Sequence, residues 1–178
     1  MLPPPGYAAI EAADPATIVD SAMRGDRAAF GRLFERYASM VHGILLTKVP
    51  PVEADDLMQD VFVTALQKLG SLKETHAFGG WLAAIARNRA LDFHRNRRDT
   101  TELSEDLAQS DADRSQAEQV LAAIRLLPEA YREPLVLRLV EGMTGPEIAD
   151  QVGLTPDSVR VNLHRGMKLL REKLGLAP

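Results

Sequence analysis

The sequence contains no cysteine. That excludes disulfides, thiolate-ligated zinc and direct thiol sensing by this chain, and it accords with a reducing compartment. Aromatic residues are scarce at 5%, while alanine and leucine are abundant, a balance that favours helices over strands. No segment alternates with a period of two, so no sheet is expected. Apolar runs long enough to span a bilayer are missing, and the leading MLPPPGYAAIEAADP lacks the basic-then-apolar order of a signal peptide. A cytoplasmic protein with no membrane insertion is expected. The four histidines, His42, His76, His94 and His164, lie far apart without metal-ligand spacing such as HExxH. A glycine loop of the phosphate-cradling form is also missing. No metal, cofactor or catalytic residue is assigned, and the chain reads as non-enzymatic by itself.

What is present is a foldable composition: 178 residues, 46% hydrophobic and 26% charged, with a formal net charge of -4. The length suits one medium domain or two small ones. Residues 1–15, with three consecutive prolines, read as a disordered lead-in. Helical periodicity begins near Ala16. Phe30, Leu33, Phe34, Tyr37, Val41, Ile44 and Leu45 recur at three- and four-residue steps, giving one apolar stripe that the Pro50-Pro51 pair ends. VEADDLMQDVFVTALQKLG predicts a further helix with acids in its first turn, where they favour the helix dipole, and a stop at Gly70. Within it Leu57, Val61 and Leu66 are candidate core positions. The loop SLKETHAFGG leads into WLAAIARNRALDFHRNRR, residues 81–98, which carries five arginines, a histidine and one aspartate.

Composition then inverts. From Asp99 to Glu118 there are seven acids against one base, Arg114, which reads as an acidic linker over residues 99–115. The remaining residues predict four short helices. Thr144 and Thr155 are candidate N-caps, and Gly153 is the stop between the third and fourth. Two helices joined by so few residues form a helix-turn-helix or a plain helical hairpin, with Ala149 small at the crossing and Val159 and Leu163 packed inward. The expected architecture is all-α: two small helical domains, 16–98 and 116–178, joined by the flexible acidic linker.

On a helical wheel of about 100° per residue, Trp81, Leu82, Ile85, Ala86 and Phe93 share a core-facing arc. Arg87, His94, Arg95 and Arg98 gather on the opposite arc with Asn88 at its edge. Arg89 falls within the apolar arc, where it must snorkel or meet an acid, such as one on the preceding helix. A solvated helix usually interleaves acids with bases; here only Asp92 offsets the arginines, so the stripe suits phosphate contact. The last helix repeats the theme: from Leu154 to Leu174, Arg160, Arg165, Lys168, Arg171 and Lys173 face Asp157 and Glu172, a balance of +3. Ser158, Arg160, Val161, Asn162, His164 and Arg165 include the side chains that would enter a major groove. Two basic faces on a tether suggest a bipartite DNA target.

DDLMQDVFVTALQKL, FGGWLAAIARNRALDFHRNRR and LPEAYREPLVLRLVEGMTGPEIADQVGLTPDSVRVNLHRGMKLLREKL resemble the second and fourth regions of extracytoplasmic-function sigma factors of bacterial RNA polymerase. The resemblance covers about residues 16–98 and 116–174. It implies that Asp55, Asp56, Leu57, Gln59, Asp60 and Phe62 bind the coiled coil of the polymerase largest subunit. It implies that Asn88, Leu72 and the loop before Trp81 capture a base flipped from the minus-ten element, with Trp81, Arg87, His94, Arg95 and Arg98 on the same DNA face. Leu72 stands where many relatives carry an aromatic residue, and Trp81 is more a core residue than a stacker. In the last helix Ser158, Arg160, Val161, Asn162, His164, Arg165 and Lys168 correspond to the reader of the minus-thirty-five element. Asn162 replaces a common arginine and Val161 a small polar residue, changes that bear on base preference. The implied partners are core RNA polymerase, promoter DNA and an anti-sigma factor. In the resemblance the acidic linker threads a channel built for RNA.

Two other readings compete. A stand-alone helix-turn-helix regulator would use only the last sixty residues or so. A sigma-like decoy for an anti-sigma factor would leave the DNA faces without purpose.

Overall fold

The structure, a computed structural model, describes residues 14–100 and 116–176, the side chains of 98–100 excepted. Among the described residues the regular elements are helices, with no strand. The N-terminal half holds α1 (Pro15–Met23), α2 (Arg27–Leu46), α3 (Pro51–Lys68) and α4 (Phe78–Thr100). The C-terminal half holds α5 (Gln116–Arg125), α6 (Glu129–Leu139), α7 (Gly145–Val152) and α8 (Pro156–Lys173). The acidic linker lies outside the described residues from 101 onward, as does the lead-in through residue 13. The helix quoted above runs through Thr100, past the boundary expected at Arg98.

Local chemistry sets the helix starts. Asp26 accepts from the Ala28 and Ala29 amides at 2.9 and 3.1 Å, satisfying donors that the first turn leaves orphaned. Pro51 and Pro156 open α3 and α8, where the missing N–H costs nothing. Thr155 accepts from the Ser158 amide at 3.2 Å. Thr144 and Glu147 form a reciprocal capping box on α7. Gly153 ends α7 at φ 72°, the left-handed conformation that glycine adopts without a Cβ penalty, and this turn sends α8 back across α7.

Leu33, Met40, Ile44, Leu45, Phe78 and Leu82 fill the N-terminal half, and Ile124, Leu135, Leu137 and Ile148 the C-terminal half, all below 2% exposure. Each such side chain contributes about 1.5–3 kcal/mol by leaving water. Ala149 and Val159 are buried at the α7–α8 crossing and Leu163 packs against the core, as the spacing predicts.

Some expectations need correction. Leu66, expected in the core, is 55% exposed, because it lies on the side of α3 away from α2 and α4. Phe34 is 37% exposed although its ring lies 4.6 Å from that of Phe62. The segment before Trp81 is not one loop: Leu69–Ser71 and Thr75–Ala77 are single 3₁₀ turns, and Phe78-Gly79-Gly80 already belongs to α4. Arg89 does reach the preceding helix, but its Nη2 donates to the Thr64 hydroxyl at 2.6 Å rather than to an acid.

The two halves are not independent bodies. Their buried residues form one continuous cluster, with α2 packed on α6 and α7, and α4 on α7. At Gly43 an added Cβ would lie 2.6 Å from Leu137 Cδ2. At Gly79 it would overlap the Gln151 carbonyl oxygen. Gly79 therefore lets α4 approach the backbone of α7 more closely than any side chain permits, while at Gly43 a Cβ would require the Leu137 and Glu141 side chains to shift.

Candidate nucleic-acid interface

The acids of α3 stand on its outer face. Asp55, Asp56, Gln59 and Asp60 are exposed and Leu57 is half-buried. Phe62, grouped with them in the sequence, is 4% exposed and packs edge-on to Phe30 at 6.4 Å, so it supports this surface from beneath and offers none of its own. Asp55 Oδ1 also lies 3.7 Å from His42 Nε2, which ties it loosely to α2.

The basic face of α4 is more engaged than its sequence suggests. Arg87 donates from Nε and Nη2 to the two carboxylate oxygens of Glu133 on α6, at 3.0 and 2.7 Å. This fork-to-fork geometry raises the guanidinium further above its already high pKa, chiefly through the hydrogen bonds from Glu133. His94 Nε2 donates to the Lys48 carbonyl at 2.6 Å, and Arg95 pairs with Asp92 of its own helix at 2.9 Å. Arg98 lies among the residues whose side chains are not described. Asn88 is exposed.

Beside the N-terminus of α4 is a cleft of about 460 Å³ lined by Leu72, Lys73, His76 and Trp81 among others. Leu72 is 8% exposed and forms its floor, while Trp81 is half-buried against Phe78, with ring centroids 5.7 Å apart. Asn88, two turns along α4, does not line it, so the structure does not gather Asn88, Leu72 and Trp81 into one pocket. The opposite wall comes from Asp150 and Gly153, at the turn of the helix-turn-helix.

The reading face of α8 is open. Ser158, Arg160, Val161, His164, Arg165 and Lys168 are exposed and Asn162 is half-buried. Arg160 meets Asp157 at 3.5 Å, with side chains 78% and 87% exposed, a pair that water and salt screen almost entirely. Arg160 is therefore available to a nucleic acid at little cost.

Sequence reasoning missed the residues that join the halves. Lys48 pairs with Glu129 at 2.9 Å, Arg36 with Asp150 at 3.6 Å, and His42 Nδ1 donates to Glu141 at 2.8 Å. The Lys48 ammonium holds the Glu129 carboxyl below the usual glutamate range. The one sequence signal was Gly43, a glycine within an apolar helical stripe, where it costs about 1 kcal/mol relative to alanine. The acids carry none, because which base each meets depends on how the halves dock. Among the described residues no helix is long and apolar enough to cross a membrane, and no cluster of metal-ligating side chains occurs.

Comparison with known proteins places these elements. The family model of Sigma-70 region 2 matches residues 33–100, and that of Sigma-70 region 4 matches residues 117–170. The RNA polymerase sigma factor CarQ of Myxococcus xanthus is 34% identical over 160 residues, covering 85% of this chain and 92% of the relative. The ECF RNA polymerase sigma-E factor of Haemophilus influenzae is 28% identical over 176 residues, covering 88% and 93%. Among solved structures, CnrH in complex with the cytosolic domain of CnrY superposes with a TM-score of 0.60 at 26% identity, covering 90% of this chain and 97% of that one. With a region 2 and a region 4 in one all-helical chain, the protein belongs to the extracytoplasmic-function sigma factors, non-catalytic initiation subunits of bacterial RNA polymerase.

Proposed function

We propose that the chain binds core RNA polymerase through the exposed acids of α3, centred on Asp56 and Asp60, and reads a bipartite promoter with α4 and α8. Residues 16–98 act at the minus-ten element and 116–178 at the minus-thirty-five element. The helix-turn-helix presents Arg160, His164 and Arg165 to base edges and phosphates of the upstream element, and Asn162 from the groove side. The cleft beside Trp81, with Asn88 further along α4, holds the melted minus-ten strand. Unstacking a base costs a few kcal/mol, and a shaped, partly apolar recess returns part of that. Leu72 supplies apolar contact there but no aromatic stacking. We further infer that a protein regulator holds this sigma factor, a reading supported by the likeness to CnrH bound to the cytosolic domain of CnrY.

The observation that carries the reading is that two basic helices, α4 and α8, occur in separately matched sigma regions of one chain. A stand-alone regulator needs only the second. The test is co-elution with bacterial core polymerase followed by transcription from a promoter library. Stable association with initiation at a two-part motif supports the reading. Sequence-specific DNA binding without polymerase association would replace it with a conventional regulator. Reversing Asp56 and Asp60 to lysine abolishes association while leaving helicity and the unfolding midpoint in place, since both side chains are exposed.

A further inference from the structure

The outward face of α8 carries an acid among its bases. On a wheel of about 100° per residue, Asp157, Val161, His164 and Lys168 form a stripe opposite the inward-facing Val159, Leu163, Gly166 and Leu170. Asp157 heads that stripe, and its side chain is 87% exposed. It does not cap the helix, because Thr155 does: the Thr155 hydroxyl accepts from the Ser158 amide at 3.2 Å and donates to the Ser158 hydroxyl at 2.8 Å. Asp157 turns instead to Arg160, one turn further on, whose Nη2 lies 3.5 Å from its Oδ1. A carboxylate facing a polyanion is repelled by it, so an acid here weakens phosphate attraction at every sequence. It gains only on base edges that donate. The N4 amine of cytosine is such an edge, whereas the O6 of guanine and the O4 of thymine repel a carboxylate.

We propose that Asp157 is a specificity-determining residue, accepting from the N4 amine of a cytosine in the base pair next to the guanine that Arg160 reads. That role rests on the proposed function, which puts α8 in the major groove of the minus-thirty-five element. A carboxylate accepts at about four positions, so one oxygen holds the Arg160 guanidinium while the other meets the cytosine. Stacked base pairs lie about 3.4 Å apart, close to the 3.5 Å between the two groups, so each addresses its own base pair. In water the pair is screened. In the groove water is displaced, and the same contact strengthens and holds a long arginine side chain in line with guanine O6 and N7. Asp157 thus acts twice, reading one base and positioning Arg160 on another.

The test uses holoenzyme assembled from the full chain and bacterial core polymerase, with a promoter library randomised across the upstream element and the bound sequences counted. Wild type, Asp157→Ala, Asp157→Asn and Arg160→Ala are compared at low and high salt, with core association and the urea midpoint of each chain measured in parallel. Wild type is expected to select a guanine and a cytosine in neighbouring base pairs. Asp157→Ala should lose about tenfold in preference for the cytosine, and a smaller part of the preference for the guanine, because Arg160 loses its support. Asp157→Asn should move the cytosine position toward adenine, which asparagine meets at N6 and N7. Arg160→Ala should keep the cytosine and lose the guanine. Base preferences unchanged in Asp157→Ala would overturn the proposal. So would a uniform gain across all sequences with a steeper salt dependence, the mark of an acid that only tempers phosphate attraction. A lowered urea midpoint with the same base preferences would assign Asp157 to the helix dipole instead. A wild-type chain that joins core polymerase and selects an upstream motif without that cytosine overturns the proposal and leaves the proposed function standing. A chain that fails to associate with core polymerase removes the proposed function, and this role of Asp157 with it.

Discussion

The guanidinium of Arg125, on α5, donates to the carbonyl oxygen of Leu46 at the end of α2, 2.9 Å away, and to that of Val49 at 2.5 Å. A cation from one half thus closes the C-terminal turn of a core helix of the other, where carbonyls are orphaned and the dipole is negative. Burial lowers the Arg125 pKa, yet the group stays charged at any ordinary pH. Replacing it by alanine should cost roughly 1.5–3 kcal/mol, the range for hydrogen bonds to a charged group. Lysine, which cannot span both carbonyls, should recover only part. Urea unfolding of the three proteins measures this; an Arg125→Ala midpoint equal to wild type would show that water replaces the cap.

The α7 cap makes stability depend on acid. Glu147 accepts from the Thr144 hydroxyl and amide, both at 2.7 Å, and these bonds hold its carboxyl below the ordinary glutamate value. A depressed folded-state pKa adds stability above the unfolded value of about 4.3, and loses it as pH falls through the lower folded value. The difference in unfolding free energy between wild type and Glu147→Gln should therefore be constant near neutrality and shrink toward zero in strong acid. Thr144→Ala should cost about 1 kcal/mol near neutral pH. A Glu147→Gln difference that does not vary with pH would mean that the amide caps as well as the carboxylate.

Asn88 and Arg160 should separate two kinds of DNA contact. Asn88→Ala is expected to slow strand opening by holoenzyme, followed by permanganate reactivity, and to leave duplex binding near its wild-type value. Arg160→Ala is expected to relax base discrimination at one upstream position, by about 1–3 kcal/mol, with a small change in salt dependence. A uniform loss across all sequences would make Arg160 a phosphate contact.

Much of the fold is legible in the sequence because it is local. The stripe from Leu33 to Leu45 needs only a period of 3.6, and the starts of α2, α7 and α8 need only Asp26, Thr144 and Thr155 beside their own first turns. The Gly153 turn follows from one residue that accepts a positive φ. The exposed bases of α8 were equally legible, since its apolar face packs within its own half. Leu66 and Phe34 were misjudged because periodicity marks a face without saying how wide its neighbour is.

The sequence by itself determined the helices, their order and the family, because capping, turns and apolar spacing act over a few residues. Only the tertiary structure decided that Arg87 meets Glu133, 46 positions away, that Asp150 walls the cleft beside Trp81, and that Gly79 is there for close approach. Those relationships depend on how two half-cores dock, and long-range docking selects its partners by shape and charge together. A stripe of arginines records that anions are wanted; it does not record that the first carboxylate to arrive comes from the same chain.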